Sequence, residues 1–210
     1  MYLDEYDDGL LTIVLANPQK ANALGATMLE GLVDVFTRAA TLPGLRAVIL
    51  TGQGRVFSAG ADLAEAKAGL ALSPLWERLS GAVAALPCLT VAALNGTMAG
   101  GACGMALACD LRIAVPGANI FYPVMKLGFL PQPGDVRRMQ RLIGPARTRM
   151  ILMAGQKITA PEALAWGLID RIAEPDALLD TARALCADAL GADPAHVAAI
   201  KGLIAAQGLD

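Results

Sequence analysis

No charged residue occurs between Arg78 and Asp110. A stretch of that length exceeds a bilayer span, so the chain either crosses a membrane there or buries the segment in a folded core. The punctuation favours the core. Pro87, Thr90, Asn95, Gly96 and Thr97 interrupt the run, and Gly100, Gly101 and Gly104 follow. That order reads as a helix end, a strand, a loop and a new helix. No one-sided Lys/Arg flank supplies a membrane orientation. The expectation is buried core and no membrane partner.

The rest of the composition agrees. Hydrophobic residues make up 55% of the 210 residues and charged residues 17%, against about 25% charged in ordinary domains. Such a chain can bury a core, which excludes disorder, and its length suits one domain. The net charge of −2 is unlike that of a nucleic-acid binder, so no nucleic-acid partner is expected. The acidic N-terminus lacks the basic start and apolar stretch of a secretory signal, and a cytoplasmic location is expected. Cys88, Cys103, Cys109 and Cys186 show no CxxC spacing, and His196 is the one histidine. Neither a metal site nor a disulfide framework is expected, and His196 reads as a helix-surface residue.

Short apolar runs closed by Pro or Gly predict strands at 11–16, 46–51, 89–94, 111–115 and 168–173. Apolar residues at helical spacing predict helices over 24–40, 74–86 and 100–109. Further helices are predicted at 136–143, 145–154, 160–166, 177–190 and 194–206. The alternation is that of an α/β fold with mostly buried strands.

Two glycine-containing segments follow predicted strands: Arg55-Val-Phe-Ser-Ala-Gly-Ala-Asp-Leu63 and Asn95-Gly-Thr-Met-Ala-Gly-Gly-Ala-Cys-Gly-Met105. Small residues there let a ligand approach backbone N–H groups, and a helix beginning there adds a positive dipole end. Two such N–H groups aimed at one point make an oxyanion hole. Tight turns and close helix packing would use the same residues.

Together these segments resemble the enoyl-CoA hydratase/isomerase (crotonase) superfamily. The likeness rests on Phe57-Ser-Ala-Gly-Ala-Asp-Leu63 and on Asn95-Gly-x-x-x-Gly-Gly101 through Ala108-Cys-Asp-Leu-Arg112. Asn17–Leu24, Lys126-Leu-Gly-Phe-Leu-Pro131 and Gly155–Asp170 match further family segments in order. The resemblance implies a crotonase-like ββα spiral with a shortened C-terminal helical region, divided as core 1–190 and helical segment 191–210. It implies an acyl-CoA substrate, with coenzyme A as part of that substrate and no tightly bound cofactor. Its thioester oxygen would meet the N–H groups of Ala61 and Gly101. Lys20, Ala21, Ala23, Ala59, Gly60, Asp62, Leu63, Met98 and Gly100 fall where the family contacts CoA. Self-association into a trimer or hexamer is implied as well.

The chain departs from the family where protons move. Hydratases carry a glutamate three residues after the second glycine, here Gly104, and another after the proline of the next strand, where Pro123 is followed by Val124. Other branches place an aspartate one residue after the L-G-x-x-P proline, here Gln132. Gly and Val transfer no proton, and Gln hydrogen-bonds without titrating. Pro123, Val124 and Gln132 are expected pocket residues. Tyr122, Lys126, Asp135, Glu65 and Glu77 remain titratable nearby. Asp135 reads as a base or as a first-turn helix acid, and Tyr122 as an acid/base or as wall packing. Asp110 beside Arg112 reads as a structural pair. Arg137, Arg138, Arg141, Arg147 and Arg149 read as a solvated face or subunit contact. Isomerase- or decarboxylase-like chemistry is expected ahead of hydration. A non-catalytic CoA-binding or assembly subunit is the alternative.

Overall fold

The computed structural model describes residues 1–207; positions 208–210 of the expected C-terminal segment lie outside them. Six strands form the larger sheet: β1 (Tyr2–Asp7), β2 (Leu10–Leu15), β3 (Ala47–Gly52), β5 (Leu89–Leu94), β7 (Leu111–Ala114) and β10 (Arg171–Ile172), in that spatial order. β1 and β2 pair antiparallel, and every later neighbour is parallel. A smaller sheet runs β4 (Val56–Ser58), β6 (Thr97–Ala99), β8 (Asn119–Phe121) and β9 (Ile158–Thr159). The chain climbs by repeating one strand in each sheet and then a helix. β3 and β4 lead to α2 (Leu63–Lys67), β5 and β6 to α4 (Ala102–Ala108), and β7 and β8 to α5 (Val124–Leu127). This is the ββα spiral of the crotonase fold.

The charge-free run is core. Val91 to Leu94 are completely buried, and every residue of α4 is buried. Buried strands of a parallel sheet read as continuous apolar runs because both faces are covered. No helix among the described residues is long and apolar enough to cross a membrane. The amphipathic α1 (Ala26–Ala39) and α3 (Leu75–Ala84) send their apolar faces into the core. α6 (Pro133–Leu152) joins both helices predicted after residue 136, with the break at Gly144, whose φ of 76° leaves the helical region ahead of Pro145. α7 (Ala160–Trp166), α8 (Leu178–Gly191) and α9 (Pro194–Gln207) complete the chain, and His196 is exposed on α9.

Three expectations need correction. The strand expected over 168–173 shrinks to Arg171–Ile172, because Leu168 and Ile169 are tied by their N–H groups to the Ala163 carbonyl at the end of α7. The edge strand β1 was not expected, since half of its side chains are charged and all but Tyr2 are exposed. Its signal is the Asp8-Gly9 hairpin turn, where φ is 41° and 83°. Asp110 and Arg112 do not pair through their side-chain charges. Asp110 Oδ2 accepts from Thr90 N, Thr90 Oγ1 and Lys201 Nζ, each at 2.8 Å. The buried Arg112 guanidinium instead serves the Leu168 and Cys109 carbonyls and Asp170.

Candidate active site

Parallel pairing of β4 with β6 brings the two glycine segments together. Gly60 (φ 88°) and Gly100 (φ 54°) both adopt the left-handed backbone that suits glycine. A methyl group at Gly60 would fall 2.6 Å from the Ala99 carbonyl oxygen, so the strand ends touch backbone to backbone. Ala61 and Gly101 follow directly, and both line one pocket. Among the described residues neither N–H finds a protein acceptor, although those of Gly60, Asp62, Gly100 and Cys103 all do. Paired, half-exposed, unused donors at one pocket wall are what an oxyanion requires.

The frame behind them is polar and buried. Asn22 is inaccessible to solvent and sits at φ 54°. Its Nδ2 donates to the carbonyls of Gln53, Val56 and Phe57 at 3.0, 2.8 and 3.2 Å, and its Oδ1 accepts from Asn17 N at 2.8 Å. Ser58 Oγ donates to the Asn22 carbonyl at 2.7 Å, and Ala59 N donates to the Ala21 carbonyl at 2.9 Å. The 17–24 loop is thereby fastened to the strand that presents Ala61.

Six of the nine residues expected against CoA line two neighbouring hollows, and Ala21 and Gly60 line neither. Lys20, Ala23 and Asp62 line a surface cleft of about 370 Å³. Ala59, Leu63 and Gly100 line the pocket that holds Ala61 and Gly101. Asp62 also caps α2, accepting from Ala64 and Glu65 N–H groups. The Glu65 bond and the second N–H hold its carboxyl below the usual range, and Lys20 at 3.5 Å assists. Met98 differs from the expectation: it faces inward from β6, is completely buried and belongs to the core cluster.

Pro123, Val124 and Gln132 line the pocket that holds Ala61 and Gly101, with Tyr122, Trp76 and Phe129. Tyr122 does more than pack. Its hydroxyl donates to Asp135 Oδ2 at 2.9 Å, and both side chains are buried. Asp135 lies in the first turn of α6, yet its carboxyl caps no helix N–H, and Oδ1 is buried without a partner. A methyl group at Gly104 would sit 2.7 Å from that oxygen. The carboxyl from α6 therefore fills the space beside α4 that the absent side chain leaves. Burial pushes it up to about 6, against the Tyr122 hydrogen bond and the Arg138 charge, which pull down. Burial beside the same carboxyl drives the Tyr122 phenol well above its usual range, so it remains a donor.

Two other candidate carboxylates turn out to support helices. Glu65 Oε2 accepts from Ala26 N at 2.7 Å, capping α1, whose preceding residue Gly25 has no side chain. Glu77 Oε1 accepts from Gly134 N at 2.6 Å, capping α6. Lys126 stands exposed on α5. Of the arginines, Arg138 turns inward beside Glu77, and the other four are exposed. Arg147 lies over the Trp166 ring at 5.5 Å. The four cysteines are buried free thiols, and burial raises all of them; Cys88 and Cys109 reach about 12.

The family model for enoyl-CoA hydratase/isomerase matches residues 5–208. The carnitinyl-CoA dehydratase of Salmonella arizonae is 38% identical over 199 residues, covering 91% of this chain and 75% of that protein. The enoyl-CoA hydratase of Bacillus anthracis superposes with a TM-score of 0.90 at 31% identity, over 97% of this chain and 82% of that one. DspI of Pseudomonas aeruginosa superposes at 0.88 with 28% identity, over 97% and 85%.

Proposed function

The chain belongs to the enoyl-CoA hydratase/isomerase family, and from that premise we propose that it binds an acyl-CoA thioester, holds the enolate oxygen on the Ala61 and Gly101 N–H groups, and carries one proton through Tyr122 and Asp135. The CoA portion lies along Lys20, Ala21, Ala23 and Asp62 and is part of the substrate. The observation that carries the reading is the buried Asp135 carboxyl beside Gly104, bonded to a tyrosine on the pocket wall.

A single proton carrier selects among reactions. In double-bond migration, a proton leaves the carbon next to the thioester and the electron pair moves onto the carbonyl oxygen. The same proton returns at the far end of the conjugated system, and nothing is consumed. In decarboxylation, the departing carboxylate leaves its electron pair as an enolate, which one proton quenches. Hydration instead needs one group to activate water and another to protonate carbon, and Gly104 with Val124 offers neither. The phenol oxygen of Tyr122 receives the substrate proton as its own hydrogen passes to Asp135 Oδ2. Desolvation around the two N–H groups strengthens their hold on the developing negative charge.

The test is α-proton exchange of saturated butyryl-CoA in deuterated water, followed by NMR. Exchange above the buffer rate that Asp135→Asn and Tyr122→Phe each reduce by about 10²-fold or more supports the reading. Tight butyryl-CoA binding with no exchange overturns it and leaves a non-catalytic acyl-CoA-binding subunit. The proposal includes a cytoplasmic location and assembly as a trimer or dimer of trimers. Exposed Ile200, Leu203 and Ile204 on α9 support a covered surface, and light scattering measures the assembly.

A further inference from the structure

Two buried side-chain atoms of opposite charge sit on the first turns of α6, and among the described residues neither has a partner: Asp135 Oδ1 and Arg138 Nη1. Side chains three apart on a helix are neighbours, and a buried polar atom left unpaired is unfavourable. The guanidinium is instead turned toward α3. A methyl group at Gly134 would meet Glu77 Oε2 at 2.6 Å and Arg138 Nη1 at 2.8 Å, so both groups enter the space that this glycine leaves open. Glu77 Oε1 is fixed there by Gly134 N at 2.6 Å, and Arg138 Nη2 reaches the Ser80 carbonyl at 3.5 Å. One guanidinium thus has two carboxyl groups near it, Glu77 from α3 and Asp135 from its own helix.

We propose that Arg138 is the positioning residue of the proton site: its guanidinium is shared between Glu77 and Asp135, and it stabilises the Asp135 carboxyl in the ionised form that takes a proton from Tyr122. The inference rests on the proton-carrier reading above and adds the group that keeps the carrier ready. While Asp135 is ionised, Arg138 Nη1 has an anionic partner at Oδ1. Once the proton arrives on Oδ2 that attraction is lost, and Glu77 holds the guanidinium. The guanidinium itself gains and loses no proton. The electrostatics agree. Burial raises Asp135 to about 6, the Tyr122 hydrogen bond and the Arg138 charge pull down, and Glu77 pushes up. Cys103 on α4 also faces the carboxyl, but burial raises its thiol and keeps it neutral, and the Tyr122 phenol before α5 is protonated at rest. Arg138 and Glu77 are therefore the charged groups facing Asp135, and they act with opposite sign.

The experiment reads the Asp135 carboxyl directly. Full-length protein labelled with carbon-13 at its aspartate carboxyls is titrated by NMR, and the Asp135→Asn spectrum identifies the signal. Butyryl-CoA α-proton exchange is followed over the same pH range. Native protein is compared with Arg138→Gln, Arg138→Lys, Glu77→Gln and Arg137→Gln, with circular dichroism to check folding. Glutamine at 77 retains an oxygen for Gly134 N, so the α6 cap survives the loss of charge. Arg138→Gln is expected to raise the Asp135 midpoint by about one pH unit or more, and Arg138→Lys to restore most of the shift. Glu77→Gln should lower the midpoint, and loss of the exposed neighbour Arg137 should leave it in place. Below the midpoint, exchange falls about tenfold for each unit of upward shift, while its high-pH plateau stays, which a merely structural role would not produce. A folded Arg138→Gln with the native midpoint overturns the inference, and so does an equal shift in Arg137→Gln, which assigns the effect to net charge. If Arg138→Gln does not fold, an unmoved midpoint in Glu77→Gln overturns it. Exchange by the native protein with a midpoint that Arg138→Gln leaves unmoved keeps the proton reading and removes Arg138 from it. Shifted midpoints with no exchange by the native protein keep the hold of Arg138 on the carboxyl and overturn the proton reading.

Discussion

The indole of Trp76 lies against Gly101 so closely that a methyl group there would fall 2.7 Å from Cζ3 and 2.9 Å from Cη2. The ring cannot readily give way. It is buried, and its Nε1 donates to the Leu70 carbonyl at 2.8 Å. A side chain at Gly101 must move the backbone that aims the N–H. Gly101→Val is expected to lower α-proton exchange by about 10²–10³-fold, the usual consequence of losing one oxyanion donor. Ala61→Pro deletes the other donor outright. Circular dichroism checks that both remain folded, and folded variants with native exchange rates would remove the oxyanion assignment.

Gly104→Ala isolates the neighbouring contact. Alanine in a helix interior gains about 0.5–1 kcal/mol over glycine, but here its methyl displaces the Asp135 carboxyl. A folded protein of near-native stability is expected, with exchange reduced by about 10-fold or more as the carboxyl leaves Tyr122. Native exchange in Gly104→Ala would mean that the Asp135 position is not used.

Asp135 also sets two pH dependences. As a proton acceptor it works when ionised, so exchange should rise with pH through about 6 and then level. Stability runs the other way. The folded carboxyl binds its proton more tightly than the unfolded one, at about 6 against 3.8. The folded state therefore carries more protons between those values, and stability falls as pH rises across that window before levelling. Asp135→Asn should flatten this slope and raise stability above pH 7 by up to about 3 kcal/mol. Urea melts from pH 4 to 8, beside the exchange profile, measure both.

Crotonyl-CoA should be hydrated negligibly. Each positioned acid or base contributes about 10²–10⁴-fold, and the two hydratase positions hold Gly104 and Val124. Loss of the conjugated enoyl absorbance reads the rate, and turnover typical of an efficient hydratase would show that another pair of groups had taken over.

The legible parts of the sequence were those with a local signal. Strand β5 was read at its observed bounds because Pro87 and Asn95-Gly96 frame an unbroken apolar run. The small sheet was invisible, since strands of two or three residues such as Ile158–Thr159 leave no periodic trace. The two loops proposed as the oxyanion hole were legible as small residues after strands, whereas the proposed proton site was legible only as an absence. Gly104 and Asp135 lie on different helices, so the filling of one residue's space by another's side chain has no sequence spacing to betray it. Glu65 and Glu77 misled for a related reason. Each caps a helix distant in sequence, and a carboxylate serving another element's N–H groups looks in sequence like a free acid.

The Asn22 amide has a consequence for how the site tells grip from aim. Because one side chain ties the 17–24 loop to the strand carrying Ala61, the surface proposed to meet the CoA and the donor proposed to meet the carbonyl form one rigid jig, set before any ligand arrives. A handle trimmed to a pantetheine stub would loosen the hold without turning the carbonyl away from its donors. On that reading, residence on the protein and reactivity once resident are separate properties, tuned by the two segments that the Asn22 amide joins.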